Sequence, residues 1–529
     1  MALRSSLSVI AAVLVWGVEF SLAVLAVHGP SSACKQTTVA ILGGGIAGIT
    51  AAASTPLRNA SISDFVIIEY RDTLGGRVYQ TNFGKQANGT PYVIEYGANW
   101  IEGLGDDSFE NPIWALAQKY NLANTYSNTS SILTYNETGF TDYSDLLDEY
   151  EESFTKASAS SSVRRKKNLQ DQTVRAGLAL AGWNPRHNDM FRQVVDWWSW
   201  DFEYAFPPEQ SSFIFGLDGS SGASSESDDY SNLVVDSRGY SYIFKQEAAT
   251  FLTANDSRLL LNTQVTNITY SNDNVTIYNS DGSCVEAKYA ICTFSLGVLQ
   301  NNVVTFKPEL PQWKQESIAK FAMGTFTKIF LQFDDTFWPK DKQFFLYASP
   351  TTRGYYPVWQ SLSTEGFLPN SNIIFATVVA DEAYRVEQQT DEETKAECLA
   401  VLREMFPNAT IPEPTAFTYE RWTQVPWAYG SYSNWPAGTT LETHQNLRAN
   451  VGRLWFAGEA TSTEFFGLLH GAWFEGQAAG AEVAAKLQNR CIKYDGVQLC
   501  GKRKHYDKLK GTSPLKHYTA ANGWGVAGL

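Results

Sequence analysis

The chain has 529 residues, of which 44% are hydrophobic and 18% charged, and its net charge is −14. The length allows two or more domains around a large core, and 16 Trp, 26 Tyr and 30 Phe exclude an intrinsically disordered chain. The acidic balance argues against nucleic-acid binding, which needs a basic face, and suits a small cationic partner better. Since most acidic proteins are acidic only for solubility, charge alone does not identify the ligand.

Residues 1–30 have the pattern of a signal peptide. Arg4 supplies a positively charged start, and an apolar stretch follows from Leu7 to Val27. Glu19 interrupts this stretch, which is short of the ~20 uninterrupted apolar residues of a membrane span. We therefore predict a secreted protein with no stable membrane span, an uncleaved N-terminal anchor being the alternative.

A secreted protein can be glycosylated at Asn-x-Ser/Thr sequons, of which the chain has eight. A sequence rich in Asn, Ser and Thr produces several sequons by chance, so we expect glycosylation at only some of them. The candidates are Asn59, Asn88, Asn128, Asn136, Asn255, Asn267, Asn274 and Asn408.

Six cysteines are too few for disulfides to form the framework of this chain. Cys491 and Cys500 bracket a short turn-like segment, which predicts a disulfide between them. Cys284, Cys292 and Cys398 lie in apolar or helical contexts, which favours buried thiols. Neither a CxxC motif nor a His/Cys cluster indicates a metal site.

A short β-branched run at 37–42 predicts a buried parallel strand, and a glycine-rich turn follows it directly. The spacing Gly43-x-Gly45-x-x-Gly48 lets the backbone turn tightly and approach a pyrophosphate, which then lies at the N-terminus of the next helix. A second apolar strand ends at Glu69, 21 residues beyond Gly48, where an acid is expected to bind ribose hydroxyls. The pattern predicts a dinucleotide site, with a glycine-rich turn that binds no nucleotide as the alternative.

Three later segments favour FAD over NAD. A GGR segment at 75–77 places a guanidinium and bare backbone beside a diphosphate, which a plain NAD fold does not need. Together with GANW at 97–100 and GEAT at 458–461, it resembles the FAD-dependent amine oxidase family. The resemblance covers about 37–500 and is strongest to the secreted plant polyamine oxidases. The similar stretches are ANWIEG at 98–103, SLGVLQ at 295–300, TKIFL at 327–331, FFLYAS at 344–349 and SNWP at 433–436.

The resemblance implies an α/β fold in which a Rossmann-type, GR2-like FAD-binding domain is interleaved with an α+β substrate domain that contains a mixed sheet. The implied FAD segments are 37–122, 236–319 and 428–496, and the substrate segments are 123–235 and 320–427. Local patterns agree with this fold. They predict a hairpin from 259–268 and 275–278 with a turn at 281–282, and a helix over 472–487 directed at the flavin.

The same resemblance assigns cofactor contacts to a set of residues spread along the chain. They are Gly43, Gly45, Gly48, Glu69, Arg77, Gly97, Ala98, Asn99, Trp100, Val265, Trp422 and Glu459.

Oxidation of an amine by a flavin needs a neutral amine nitrogen, a C–H bond directed at the flavin and a site that excludes water. Lys328 lies on a predicted strand, on the same face as Phe326 and Phe330, where a poorly solvated ammonium should have a lowered pKa. The resemblance implies that Lys328 is the catalytic lysine that holds a water at the flavin. On the local pattern alone, a lysine that extends to the surface is the alternative.

Two acids are candidates for binding a polyamine. Glu102 lies on a segment that resembles the flavin-side wall of the polyamine oxidase tunnel. Glu203 lies in the aromatic cluster WWSWDFEY at 197–204, which resembles the segment of the second tunnel carboxylate. Carboxylates among aromatic rings hold secondary ammonium groups by charge and by cation–π contact. A solvated acid on a Trp-rich helix is the alternative for Glu203.

Four further side chains match positions that line the family's substrate site, namely Trp100, Phe326, Tyr432 and Leu468. Aromatic residues usually serve packing alone, which is the alternative for these positions. Where the plant enzymes carry tyrosines near the flavin, this chain has Phe326 and Leu468. The loss of two hydroxyls and one ring is expected to alter the fit of the substrate.

The resemblance therefore implies a secreted FAD-dependent oxidase of a small polycation. Spermine, spermidine or an acetylated derivative is oxidised at a secondary amine to an imine, which hydrolyses to an aldehyde and a shorter amine, while O₂ becomes H₂O₂. A monoamine or L-amino-acid oxidase is the enzymatic alternative. A flavin-containing binding protein without turnover is the non-enzymatic one.

Two charged segments are not explained by this function. The acidic run at 142–152 can rim a tunnel mouth, although such runs are more often a solvated helix face. The tail at 501–529 carries six basic residues and one acid, so the first 500 residues have a net charge of −19. We expect a disordered basic tail, with attachment to a surface or cell wall as the alternative.

Overall fold

The structure is a computed structural model that describes residues 33–54, 63–106, 109–218, 231–494 and 496–524. The predicted signal peptide at 1–30 and the sequon at Asn59 lie outside these residues.

The larger sheet contains the strand that leads into the glycine-rich turn. Its strands in spatial order are Leu259–Leu260, Phe65–Ile68, Lys35–Leu42, Cys284–Cys292, Val275–Asn279, Val265–Tyr270 and Thr305–Lys307, and Leu454–Phe456 also pairs with Cys284–Cys292. Strand Lys35–Leu42 runs parallel to both of its neighbours. Its second half is buried on both faces, which explains its unbroken apolar sequence. Its carboxyl end places Gly43 at the edge of the sheet.

The predicted hairpin is shorter than the pattern indicated. Leu259–Leu260 is a separate strand beside Phe65–Ile68, and the hairpin pairs Val265–Tyr270 with Val275–Asn279. The segment between them leaves the sheet because the N–H groups of Asn262 and Thr263 donate to the backbone carbonyls of Arg71 and Glu69. The turn at 281–282 connects the hairpin to the next strand of the same sheet.

The second sheet contains the strand that carries Lys328. Its strands in spatial order are Gly139–Phe140, Ile132–Asn136, Phe344–Ala348, Val358–Ser361, Ile373–Val379, Phe326–Gln332 and Ala416–Tyr419. The sheet is mixed, because Ile132–Asn136 runs parallel to Phe344–Ala348 while the other neighbours are antiparallel. All seven residues of Phe326–Gln332 are buried between two neighbouring strands. The side chains on this strand are therefore largely shielded from bulk solvent, and two of them, Phe326 and Lys328, line the cavity described below.

Smaller sheets complete the fold, and two of them carry residues that line the cavity described below. One is the sheet of Trp100–Ile101, Asn232–Val234 and Asn124–Tyr126, and the other pairs Ala322–Gly324 with Tyr432–Asn434. The remaining pairs are Gln80–Phe83 with Tyr92–Glu95, Gly105–Asp106 with Phe109–Glu110, and Ile492–Tyr494 with Val497–Leu499.

The helices cover the sheets and carry several site residues at their ends. The α-helices are Ile46–Ala53, Pro112–Lys119, Asp145–Lys166, Val174–Ala181, Met190–Asp196, Phe202–Tyr204, Phe213–Asp218, Ser241–Ala249, Leu296–Gln300, Gln312–Lys320, Ala380–Glu387, Asp391–Met405, Leu441–Arg448 and Leu469–Gln488. A π-helical turn spans Trp197–Asp201, and 3₁₀ turns span Trp422–Gln424, Glu459–Thr461, Leu515–His517 and Ala520–Asn522. The helix predicted over 472–487 is Leu469–Gln488. None of the helices in the described part of the chain has the length and hydropathy needed to cross a membrane.

The acidic run at 142–152 lies at the start of helix Asp145–Lys166. Its acidic side chains are exposed to solvent. Glu149 forms an ion pair with Arg192. None of the acids in this run lines the cavity described below, so their placement is that of a solvated helix face.

Two disulfides are present, and one of them corrects a prediction. Cys491 and Cys500 are bonded to each other, as expected. Cys284 is bonded to Cys34 across 250 residues and is not a buried thiol. The two cysteines are brought together because each opens one of two parallel neighbouring strands, in which Lys35 pairs with Val285. Cys292 and Cys398 are buried free thiols.

The C-terminal tail is packed against the protein from residue 501 to 524, so the prediction of a disordered tail is wrong there. Arg503 is 5% exposed. Its Nη1 forms an ion pair with Glu475 Oε2 at 3.1 Å and donates to the carbonyls of Arg448 and Phe456. The Gly501 N–H also donates to the Glu482 carboxylate. A basic composition predicts disorder only when the charged groups remain in water. Here a buried carboxylate of helix Leu469–Gln488 compensates the charge of Arg503.

Candidate active site

A cavity of about 570 Å³ is lined by residues of both large sheets. The sequence-predicted residues that line it are Gly43, Gly45, Glu69, Arg77, Gly97, Ala98, Asn99, Trp100, Glu102, Glu203, Val265, Phe326, Lys328, Trp422, Tyr432, Glu459 and Leu468. Gly48 does not line the cavity. An added Cβ on Gly48 would lie 1.9 Å from the Gly43 carbonyl oxygen, so this glycine permits the helix to pack on the turn.

Glu69 closes one end of the cavity beside the glycine-rich turn. Its Oε2 accepts the Gly44 N–H at 2.6 Å and its Oε1 accepts the Arg71 N–H at 2.8 Å. Burial raises the pKa of Glu69, while these two backbone hydrogen bonds lower it. Each oxygen keeps a lone pair for another donor, so the carboxylate can accept the hydroxyls of a ribose.

Two helices begin at the cavity with no side-chain cap. Helix Ile46–Ala53 starts after Gly45, and helix Leu469–Gln488 starts after Leu468. The first N–H groups of a helix lack intrahelical partners and lie at the positive end of its dipole. With Glu69 at the ribose position, two such ends fit FAD, which carries an anionic diphosphate and an electron-accepting ring. The bare backbone at Gly45 and Gly76, where a Cβ on Gly45 would lie 3.8 Å from the Gly76 Cα, allows the diphosphate a close approach.

Arg77 and Glu459 connect three segments across the cavity. Arg77 Nη1 donates to Glu459 Oε1 at 2.9 Å and to the Ser431 carbonyl at 2.8 Å. Glu459 Oε2 accepts the Ser433 hydroxyl at 2.6 Å and the Gly467 N–H at 2.8 Å. The GGR and GEAT segments, which are far apart in the sequence, are therefore parts of one hydrogen-bonded unit.

Lys328 is 2% exposed and its ammonium lies at the cavity wall. Its Nζ donates to the Gly97 carbonyl and to Asn99 Oδ1, the latter at 2.8 Å, and lies 5.7 Å from the centre of the Trp100 ring. Desolvation lowers the pKa of Lys328 to about 7, although the nearby Glu95 carboxylate opposes this shift. The surface-lysine alternative is excluded, because the side chain is enclosed by the sheet. A lysine with this pKa can give up or take a proton near neutral pH.

Glu102 and Glu203 lie at the same cavity although distant in sequence. Glu102 Oε2 accepts the Ser231 hydroxyl at 2.9 Å. Burial and the negative charge of Glu203 raise the pKa of Glu102 to about 8. Glu203 is exposed and also lines the cavity, and desolvation by the surrounding protein raises its pKa. Two carboxyl groups that repel each other in this way form a site that a polycation stabilises.

Aromatic rings form the wall between the two acids and Lys328. The Phe326 ring centre lies 5.5 Å from that of Phe202, 6.1 Å from that of Tyr432 and 6.4 Å from that of Trp100. The Tyr432 hydroxyl donates to the Glu203 carbonyl at 2.8 Å, which attaches the acid's backbone to this wall. Such rings exclude water and present π faces to ammonium groups.

The structure adds residues that the sequence did not single out. Glu95 lies beside Lys328, with Oε1 accepting the Tyr240 N–H at 2.7 Å and Oε2 without a hydrogen-bond partner among the described residues. Glu95 lies two residues before the GANW segment, and this position in the sequence could have indicated a role at the site. Phe202 precedes Glu203 in the aromatic cluster and could have been found in the same way. Ser231 had no such signal, because only the strand that follows it brings it to Glu102.

The chain is similar in sequence to known flavin amine oxidoreductases over most of its length. The sequence model of the family described as flavin containing amine oxidoreductase matches residues 46–484. Polyamine oxidase 1 of Zea mays is 36% identical over 495 residues, which cover 89% of this chain and 95% of the relative. Polyamine oxidase 7 of Oryza sativa subsp. japonica is 36% identical over 456 residues, which cover 83% and 93% respectively.

A solved structure of a putrescine oxidase bound to putrescine has the same fold. It superposes with a TM-score of 0.65 at 18% identity, covering 86% of this chain and 99% of that chain. Because the family match spans most of the sequence and relatives reach 36% identity, the chain belongs to the flavin containing amine oxidoreductase family and is a FAD-dependent enzyme.

Proposed function

We propose that this protein is a secreted polyamine oxidase that acts on a secondary amine of spermine, spermidine or an acetylated derivative. The observation that carries this proposal is the pair of acids, Glu102 and Glu203, on one aromatic-walled cavity. A substrate with several ammonium groups neutralises both carboxylates, whereas a monoamine neutralises only one of them. Among the described lining residues Arg77 is the one arginine, and it is already bound to Glu459. This disfavours an amino-acid oxidase that binds the substrate carboxylate with a free arginine of the pocket.

We assign the chain to two interleaved domains. The FAD-binding domain, a GR2-like Rossmann fold, comprises 37–122, 236–319 and 428–496, and the substrate domain comprises 123–235 and 320–427. Apart from Lys35 and Gln36, which precede residue 37, the strands of the larger sheet fall within the first set of segments. Every strand of the second sheet falls within the second set, which supports the assignment. The cavity lies where the two sets meet.

FAD would be held by the glycine turn, Glu69, Arg77, Glu459 and the two uncapped helix ends. When bound, it accepts a hydride from the carbon beside the amine nitrogen and passes the electrons to O₂, which becomes H₂O₂. Lys328 is fixed by two acceptors at the cavity wall, so its remaining proton can hold a water there. The aromatic wall orients the chain of the substrate and excludes bulk water.

Anaerobic reduction tests the substrate class. The purified protein should be yellow, and spermine or spermidine should bleach the flavin absorbance in the absence of O₂, with mass analysis of the products identifying the broken C–N bond. If tyramine or an amino acid bleaches the flavin and polyamines do not, the proposed substrate class is wrong. A yellow protein that no amine bleaches would instead be a flavin-containing binding protein.

The pH dependence of substrate affinity is a second prediction. Because the pKa of Glu102 is raised to about 8, the group gains a proton and loses its charge as the pH falls through that value. We expect the KM for spermidine to rise by about tenfold when the pH is lowered from about 9 to about 7. Glu102→Gln should have a high KM throughout and a flatter profile, since the titration of Glu102 is removed and only that of the other groups, among them Lys328 and the substrate, remains. Parallel pH profiles of KM in the unaltered protein and in Glu102→Gln would contradict the role of Glu102.

Secretion and glycosylation are parts of the same proposal. Two disulfides support an oxidising compartment, because such bonds are rare in the cytosol. Asn88, Asn255 and Asn408 are exposed and are the best candidates for glycans, while the sequons at Asn128, Asn136, Asn267 and Asn274 are half-buried. Deglycosylation of the protein expressed in a eukaryotic host, followed by mass analysis of its peptides, would identify the modified sites and the mature N-terminus.

A further inference from the structure

A short π-helical turn carries Glu203 to the cavity. It spans Trp197–Asp201, and the N–H of Phe202 donates to the carbonyl of Trp197, five residues back. A π turn has poorer local geometry than an α-helix and is common at functional sites, where contacts from elsewhere stabilise it. Phe202 and Glu203 follow the turn directly, and both line the cavity. The contacts that stabilise this turn therefore also determine the direction of the Glu203 side chain.

Arg353 holds both ends of the turn. It lies in the loop between strands Phe344–Ala348 and Val358–Ser361 of the second sheet. Its Nη1 and Nη2 donate to the two carboxylate oxygens of Asp201 at 2.9 and 2.7 Å, and Nη2 also donates to Asp196 Oδ2 at 2.7 Å. Asp196 precedes the first residue of the turn and Asp201 is its last. One guanidinium thus joins the two ends.

Both aspartates are buried, and Asp201 depends on Arg353 more than Asp196 does. Asp196 and Asp201 are 0% and 1% exposed. Asp196 also accepts the Trp183 indole N–H at 3.0 Å and pairs with Arg175, whereas Asp201 is paired with Arg353. A buried carboxylate that loses its cation is strongly destabilised. The turn is therefore expected to rearrange when Arg353 is removed.

On its other side, Glu203 is held through its backbone. The Tyr432 hydroxyl donates to the Glu203 carbonyl at 2.8 Å. Tyr432 precedes Ser433, which is bound to Glu459. The segment of Glu203 is thus fixed between the second sheet, through Arg353, and the FAD-proximal wall, through Tyr432.

We propose that Arg353 is a positioning residue for substrate selection, which clamps Asp196 and Asp201 so that the Glu203 carboxylate faces the cavity and selects amines with a second cationic group. This inference rests on the proposed function, because it assigns the binding of that second cation to Glu203. Arg353 is not among the residues that line the cavity and acts through the turn alone. The forked guanidinium is required, since a lysine ammonium cannot bridge two carboxylates in the same planar geometry.

The test compares two ligands that differ by one ammonium group. Calorimetry on the FAD-loaded enzyme gives the affinities of diaminooctane and of octylamine, and their ratio measures selection for the second cation. Arg353→Met should lower this ratio by about tenfold, through weaker diamine binding, while octylamine binding and the visible flavin spectrum stay unchanged. Arg353→Lys should give an intermediate ratio.

Arg385→Met is the matched control. Arg385 forms part-exposed ion pairs with Glu382 and Glu397, and its guanidinium lies 5.3 Å from the ring centre of Tyr355, in the same loop as Arg353. Neither ion pair involves a residue of the turn. Its removal should lower the thermal stability without changing the ratio of the two affinities. A ratio that falls equally in this control would show a general effect of disturbing this loop and its ion pairs, and would overturn the inference.

The outcomes separate this inference from the proposed function. If folded Arg353→Met has an unchanged ratio of the two affinities because neither affinity changes, or because both fall equally, the role of Arg353 is overturned. If Arg353→Met does not fold, Arg353→Lys decides, and an unchanged ratio there has the same meaning. A protein that prefers diaminooctane but is not bleached by spermine contradicts the proposed oxidation and leaves the clamp intact. An unaltered enzyme with no preference for the diamine overturns the selection by Glu203 and, with it, the inference.

Discussion

Lys328→Met is expected to slow flavin reduction or reoxidation by at least about tenfold while FAD remains bound. The substitution keeps the length of the side chain but removes the ammonium that donates to the Gly97 carbonyl and to Asn99. Without the ammonium, this side chain has no donor left to hold a water at that point of the wall. Stopped-flow absorbance with spermidine, first without O₂ and then with O₂, measures the two half-reactions separately.

The control for this variant is Lys245→Met. Lys245 is a half-buried lysine of helix Ser241–Ala249 with a pKa lowered mainly by desolvation, and it does not line the cavity. Its replacement should leave both half-reactions within about twofold of the unaltered rates. Unchanged kinetics in Lys328→Met would remove the proposed role of Lys328, whatever the control shows.

Glu459→Ala is expected to release FAD and to lower the free energy of unfolding by about 3 kcal/mol. The carboxylate is 5% exposed and accepts from Arg77, Ser433 and Gly467, so its loss leaves several buried donors without an acceptor. Arg77 retains some exposure, which keeps the loss below that of a fully buried pair. Thermal unfolding and the flavin absorbance that remains after gel filtration measure the two effects.

Glu482→Ala separates the two effects. Glu482 is equally buried on the far part of helix Leu469–Gln488, where it accepts the Gly501 N–H, and it does not line the cavity. This variant should lose stability but keep its FAD. If Glu459→Ala retains FAD as well as Glu482→Ala does, then Glu459 is a structural residue only.

The cofactor end of the site could be predicted from the sequence because its determinants are local. A buried strand, a glycine turn and a helix follow one another at 37–53, and each is fixed by burial and backbone sterics within a few residues. The face of Lys328 followed likewise from alternation along one strand, since successive side chains of a strand point to opposite sides. The resemblance to the family indicated which segments, distant in the sequence, come together at the site.

Some contacts between distant segments have no signal in the local sequence, and the predictions about them were incomplete or wrong. Cys284 was expected to be a thiol, yet its partner Cys34 is 250 residues away and becomes adjacent only because their strands are neighbours in the sheet. The tail was expected to be disordered because its composition is basic. Only the folded protein shows that Arg503 is compensated by the buried Glu475.

The sequence by itself predicted the dinucleotide turn and the position of Lys328 on a strand beside two phenylalanines, whereas the family resemblance assigned Glu102 and Glu203 to one tunnel. Only the tertiary structure decided that both acids line one cavity, and that Asp196 and Asp201 are clamped by Arg353 from another sheet. The physical reason is the range of the interactions. Hydrogen-bonded turns and strand alternation act over a few residues, whereas the desolvation of a charge depends on every element packed around it.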